Sequence, residues 1–330
     1  MSRFISRENL MSWLGRLPES HRLVAPTEVD DLLLFREVDK PEDIVLDYDN
    51  TVLSPKEWFF PKTETILRVN SKNGETELVP KEVTRETVIF GIRPCDARGI
   101  TLLDLPYLSE PADTLYRQHR KKTTLVGLAC LKACPECFCT SMGSGPADTA
   151  GLDIMLTEVE GGYLVDIITE KGQRLLPESL LAETDQPRPQ PAEPAAVRSE
   201  GITESFRANF DDQYWGRLAD RCIHCNICSY VCPTCYCFDV RDYTSKDGVE
   251  RVRSWESCQS PGFTKIAGGH DPRANKGARM RQRFAHKLLY FPEEFGALHC
   301  VGCGRCVRSC PVNIDIREII EDVQKLGVSK

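Results

Sequence analysis

Two stretches of this chain, Cys222-Ile-His-Cys225-Asn-Ile-Cys228-Ser-Tyr-Val-Cys232-Pro233 and Cys300-Val-Gly-Cys303-Gly-Arg-Cys306-Val-Arg-Ser-Cys310-Pro311, share one spacing, C-x2-C-x2-C-x3-C-P. It matches the bacterial ferredoxin run, in which three cysteines ligate one cubane and the fourth crosses to the other cluster. Two-residue gaps let the backbone curl around a cluster with its amides aimed at the sulfides. The expected ligand sets are Cys222, Cys225, Cys228 and Cys310 for one [4Fe-4S] cluster, and Cys300, Cys303, Cys306 and Cys232 for the second. Crossing the ligands in this way pins two distant segments into one fold. A zinc-bound scaffold is the alternative, but zinc takes four ligands per site and does not ask for a third cysteine at x2 before a fourth at x3.

Size and charge narrow the setting. A chain of 330 residues exceeds the usual single domain, so two or three cores are expected. Its sixteen cysteines are grouped at metal spacing in a long, charged sequence, which points to a reducing cytoplasm and away from a secreted disulfide scaffold. The first ten residues contain no apolar signal region, and no apolar run is long enough to span a bilayer, so any membrane link is expected through a partner. A net charge of −7 argues against a general nucleic-acid binder. Prolines at 187, 189, 191 and 194 forbid regular structure and mark a connector. The expected division is residues 1–182, a linker at 183–200, and a cluster domain at 201–330.

The cluster domain should open with a helix, because Ile202, Phe206, Phe210, Trp215 and Leu218 recur at helical intervals. Residues 313–327 repeat the pattern and end on Gly327 as a stop. The 67 residues between Cys232 and Cys300 overfill a compact ferredoxin. That insertion resembles the helical ferredoxin domains of fumarate reductase and heterodisulfide reductase iron-sulfur subunits, so this part is expected to be mostly α-helical. The amino-terminal region reads as mixed α/β. Leu10, Trp13, Leu14 and Leu17 share a helix face behind a cap at Ser6, residues 87–91 and 123–128 read as buried strands, and 154–168 as a hairpin about Gly161-Gly162. The fold class is therefore α+β.

Both buried strands run into cysteines, at Cys95 and Cys130, and parallel neighbours would deliver the two thiols to one edge. Cys130-Leu-Lys-Ala-Cys134-Pro-Glu-Cys137-Phe-Cys139 adds more thiols there. A third cluster on Cys95, Cys130, Cys137 and Cys139 is the expectation; free thiols packed as small hydrophobes are the plainer alternative. Past the first run, Cys235, Cys237 and Cys258 form a further group that suits a cluster with one open iron, its last ligand being His270 or solvent. Core packing of those thiols is the competing reading. Residues 273–287 are strongly basic in an acidic chain, which fits charge compensation of anionic clusters, docking of an acidic partner, or an ordinary solvated helix face.

Several motifs in one order carry a resemblance. Gly91-Ile-Arg-Pro-Cys95-Asp96, Cys137-Phe-Cys139-Thr-Ser-Met142-Gly143, Cys232-Pro-Thr-Cys235-Tyr-Cys237, Trp255-Glu-Ser-Cys258 with Pro261-Gly-Phe263, and Ala267-Gly-Gly-His270 look like the family that holds the dicluster electron-transfer subunits of anaerobic sulfite reductase and the beta subunits of sulfhydrogenases, as do Ser54-Pro55-Lys56-Glu57 and Phe60-Pro61. Cys134 stands outside the pattern. The resemblance implies a cytoplasmic electron-transfer subunit working beside a flavin- and NAD(P)-binding subunit and a catalytic subunit. No Gly-x-Gly-x-x-Gly, P-loop or nucleophile elbow lies between a strand and a helix, so flavin and nicotinamide are expected on another chain. The expected role is a wire serving a sulfite reductase, hydrogenase or heterodisulfide reductase. A sulfur-compound reductase working at its own open cluster is the alternative.

Overall fold

Ser6 caps the first helix as its hydroxyl predicts: Oγ accepts from the Asn9 N–H at 3.1 Å, and Arg7–Arg16 follows with Leu10, Trp13 and Leu14 buried. The structure is a computed structural model that describes residues 1–72, 75–246 and 248–326. Among the described residues the chain forms twelve strands: β1 (Ser2–Ser6), β2 (Arg22–Val29), β3 (Leu32–Glu37), β4 (Thr63–Lys72), β5 (Glu75–Pro80), β6 (Thr87–Ile92), β7 (Thr123–Leu128), β8 (Ile154–Val159), β9 (Gly162–Ile167), β10 (Ala182–Thr184), β11 (Phe238–Ser245) and β12 (Gly248–Trp255).

Eight strands form one mixed sheet in the order β10-β1-β9-β8-β7-β6-β2-β3. Its centre is parallel: β2 pairs with β6, β6 with β7 and β7 with β8. All six residues of β6 are buried, as continuous apolar runs in a covered parallel sheet should be. Because β6 and β7 are parallel neighbours, Cys95 and Cys130 leave the same edge of the sheet. Cys95 sits in the first turn of helix Pro94–Leu108. The β8–β9 hairpin turns at Gly161, whose φ of +77° suits glycine.

The second sheet, β11-β12-β4-β5, joins the two halves of the sequence, because β12 pairs antiparallel with β4. The long insertion after Cys232 therefore contributes a β-hairpin as well as the helix Lys276–Ala285. Around the cysteine runs the structure is helical. The apolar stripe expected over 202–218 is two helices, Ile202–Ala208 and Tyr214–Arg221, broken where the Asp212 carboxylate accepts from the Tyr214 N–H at 2.8 Å. Ile202, Phe206, Trp215 and Leu218 all remain buried in one core with Ile319, Ile320 and Val323 of the last helix, Ile316–Leu326. The stop at Gly327 lies outside the described residues. Residues 185–199 form neither helix nor strand, but they are docked: Ala192 N–H donates to Cys130 O at 2.9 Å, and Val197 N–H to Ser141 Oγ at 2.8 Å.

Candidate metal centres

The two ferredoxin runs curl in the same way. His224 and Asn226 have φ of +54° and +63°, and Gly302 and Gly304 at the equivalent places have +61° and +74°. Left-handed residues between the cysteines turn the backbone back on itself, which is how a short loop points three thiols inward. Cys222 follows helix Tyr214–Arg221, and Cys228 lies in helix Ile227–Tyr230.

Cys222, Cys225, Cys228 and Cys310 line one cavity, together with Cys306 of the second run. Donors already face their sulfurs: His224 N–H to Cys222 Sγ at 3.3 Å, Ile314 N–H to Cys310 Sγ at 3.2 Å, and Gln259 Nε2 to Cys228 Sγ at 3.2 Å. Cys232 in turn lies within electrostatic reach of Cys300, Cys303 and Cys306. Burial pushes Cys300 up to about 11 and Cys306 up to about 12. A hydrogen bond with Cys235, acting against burial and joined by Lys287 and Lys56, holds Cys232 well below the thiol range.

Cys95, Cys130 and Cys139 line a second cavity together with Cys134, Cys137 and Cys303. Cys134 and Cys137 are bonded to one another, so a ligand role for Cys137 requires reduction of that disulfide. Ala192 and Pro194 of the proline-rich segment form part of the wall. Cys235, Cys237 and Cys258 also come together, and His270 is exposed just past a turn. Among the described residues no group of three or more His, Cys, Asp or Glu closes tightly enough for a single metal ion. Two groups of thiols, around Cys228 and around Cys130, line cavities instead.

The basic segment turns three of its cations inward. Arg279, Arg283 and Lys287 recur four apart and are buried, the last in a π-turn at His286–Tyr290 that follows the helix directly. Lys287 Nζ is 3.3 Å from Cys232 Sγ and also donates to Thr234 Oγ1 and His299 O. Against the burial that would lower it, the neighbouring Cys232 and Cys235 sulfurs hold Lys287 above the usual lysine range. These contacts favour the charge-compensation reading for the inner face of this helix.

Other cations at the site lie inside the quoted motifs, but nothing in their local sequence gives their partners. Lys56 reaches across the molecule to donate to Cys232 O at 2.8 Å and Cys235 O at 2.7 Å, and its ammonium sits 4.2 Å over the Trp255 ring. Arg93 donates to Leu128 O and Ala129 O beside Cys130. Arg305, fully buried inside the second run, pairs with Asp96 next to Cys95. Reading motif by motif gave them no role because each pairs with groups from another segment.

Residues 221–314 match the 4Fe-4S dicluster domain family. Over 333 aligned residues the chain is 32% identical to sulfhydrogenase 2 subunit beta of Pyrococcus furiosus, covering 96% of this chain and 97% of that one. The chain belongs to the sulfhydrogenase beta subunit family. An iron-sulfur electron-transfer subunit of an oxidoreductase is what the dicluster domain and this kinship describe together. No solved structure matches it. Among the described residues no helix is long and apolar enough to cross a membrane.

Proposed function

We propose that this chain is the iron-sulfur relay of a multisubunit cytoplasmic anaerobic oxidoreductase, carrying electrons between a flavin- and NAD(P)-binding partner and a catalytic partner. The catalytic partner is of the sulfite reductase, hydrogenase or heterodisulfide reductase type. One observation carries this reading: the second thiol set shares a wall with each of its neighbours. Cys306 lines the first cavity beside Cys222, Cys225, Cys228 and Cys310, and Cys303 lines the second beside Cys95, Cys130 and Cys139. Adjacent cages of this kind suit stepwise tunnelling. The relative's name, a subunit of a sulfhydrogenase, supports the presence of partners. Fourteen of the sixteen cysteines carry free thiols, which suits a reducing compartment.

In this reading Cys222, Cys225, Cys228 and Cys310 hold one cluster, Cys300, Cys303, Cys306 and Cys232 a second, and Cys95, Cys130, Cys137 and Cys139 a third once the Cys134–Cys137 bond is reduced. When bound, the clusters supply one-electron redox chemistry. The chain's own residues set its conditions. Backbone amides at His224 and Ile314 and the Gln259 amide donate to sulfur, which favours the reduced form. Arg283 and Lys287 add buried positive charge, and the strap through Ala192 and Pro194 shields the third cage from water. Residues 1–182 then form the unit bearing the third cage, 183–200 the strap, and 201–330 the ferredoxin unit.

The test is iron content after anaerobic purification, where the ferredoxin pair alone accounts for about eight irons per chain. Cys228→Ser with Cys306→Ser should remove most of that iron. Full retention sinks the ligand assignment, and a spectrum silent on reduction sinks the relay.

A further inference from the structure

The base of the β11–β12 hairpin brings three more thiols to one spot. Cys235 and Cys237 flank Tyr236, whose ring meets His286 and His299 edge-on. The ladder pairs Phe238 with Trp255, and one step beyond it the Glu256 N–H donates to Cys237 O at 3.0 Å. Two residues later Cys258 lies within hydrogen-bond reach of Cys237, while Cys235 lies within reach of Cys232. Cys258 is buried, and Cys235 and Cys237 are half-buried.

The charges around these thiols are a second observation, shared in part with the ferredoxin set. Lys56 and Lys287 are 2% exposed and Arg283 is 4% exposed. Lys56 Nζ donates to Cys232 O and Cys235 O, and Lys287 Nζ to Cys232 Sγ, Thr234 Oγ1 and His299 O. None of those contacts is a carboxylate, and Arg283 Nε is buried without a partner. Buried cations persist where an anion compensates them. A cluster on Cys232 abuts Lys287 directly, whereas Lys56 extends to Cys235, beyond the ferredoxin ligands.

We propose that Cys235, Cys237 and Cys258 hold an iron-sulfur cluster of their own, additional to the ferredoxin pair. Three thiolates ligate it, and its remaining iron takes a non-cysteine donor, either solvent or a small exogenous anion. Lys56, Lys287 and Arg283 provide its counter-charge. The contact between Cys235 and Cys232 makes the cluster a side branch of the second ferredoxin set. The inference rests on the relay reading only for its supply of electrons.

The experiment compares wild type with Cys237→Ala/Cys258→Ala, both full-length and purified anaerobically, by iron, acid-labile sulfide and electron paramagnetic resonance of the reduced protein. The expected result is loss of about four irons and of one signal, with the ferredoxin signals kept. Iron content and signals equal to wild type overturn the proposal. If the double variant is insoluble, two further measurements decide. Cyanide added to the wild type should shift one signal, because one iron lacks a thiolate, and Cys258→Ser should shift that same signal. Signals indifferent to both overturn the site. Failure of the ferredoxin reading is seen separately, as iron retained in Cys228→Ser/Cys306→Ser.

Discussion

Arg305 and Asp96 form a two-point ion pair at 2.6 and 2.7 Å with both side chains buried, and so join the second cysteine run to the helix that carries Cys95. Arg305 also donates to Thr51 O at 2.7 Å and Thr51 Oγ1 at 3.0 Å, which brings four of its five N–H donors into use. Removing one partner leaves a buried charge alone, which costs about 3–5 kcal/mol. Arg305→Met should lower the anaerobic denaturation midpoint accordingly. Arg305→Met with Asp96→Leu should recover much of the loss. An unchanged midpoint in the single variant refutes this role.

Lys287→Met removes a buried ammonium 3.3 Å from Cys232 Sγ. Reduction adds negative charge next to that site, so losing the cation makes the cluster held by Cys232 harder to reduce. The expected shift is downward and on the order of 60 mV, equivalent to about 1.4 kcal/mol for one electron. A redox titration followed by paramagnetic resonance reads it. An upward shift, or none, contradicts the charge argument.

Cluster assembly should strengthen as pH rises. Burial raises Cys300 to about 11 and Cys306 to about 12, so these thiols carry protons at neutral pH before metal arrives. Ligation needs thiolates and displaces those protons, and the apparent binding constant gains about tenfold per pH unit for each proton released. Reconstitution should therefore be more complete at pH 8 than at pH 6, and acid should release iron. Equal iron loading at the two values contradicts the displacement.

Gly302 should tolerate no side chain. Its φ is +61°, and a Cβ there would lie 2.5 Å from the Phe138 carbonyl carbon, in the loop whose Phe138 N–H donates to Gly302 O at 2.8 Å. Left-handed backbone alone costs about 1–2 kcal/mol, and the clash adds to it. Gly161→Ala is the control, since its φ is +77° but nothing lies within 4 Å of its added Cβ. Gly302→Ala should lose more thermal stability than Gly161→Ala and should also lose iron. Equal behaviour of the two variants removes the packing argument.

Much of the fold was legible because its signals are short-range. The Ser6 cap, the buried runs of β6 and β7 and the Gly161 turn each depend on neighbours a few residues away. The hairpin β11–β12 was not legible: its residues lie in a mixed, charged stretch, and it is held by pairing with β4, nearly two hundred positions earlier. The proline-rich segment read as a connector because proline forbids regular structure. That it lies across Cys130 follows from a hydrogen bond between distant backbones.

The spacing of eight cysteines was enough to name the metal chemistry, since a loop of two residues constrains where its flanking thiols can point. Lys56, Arg93, Arg305 and the inward turn of Lys287 are another matter. A cation buried against a thiolate is stable only when both are withdrawn from water together, and that depends on which remote surfaces meet. Local pattern picks out the proposed ligands; the field around them exists only once the chain has closed.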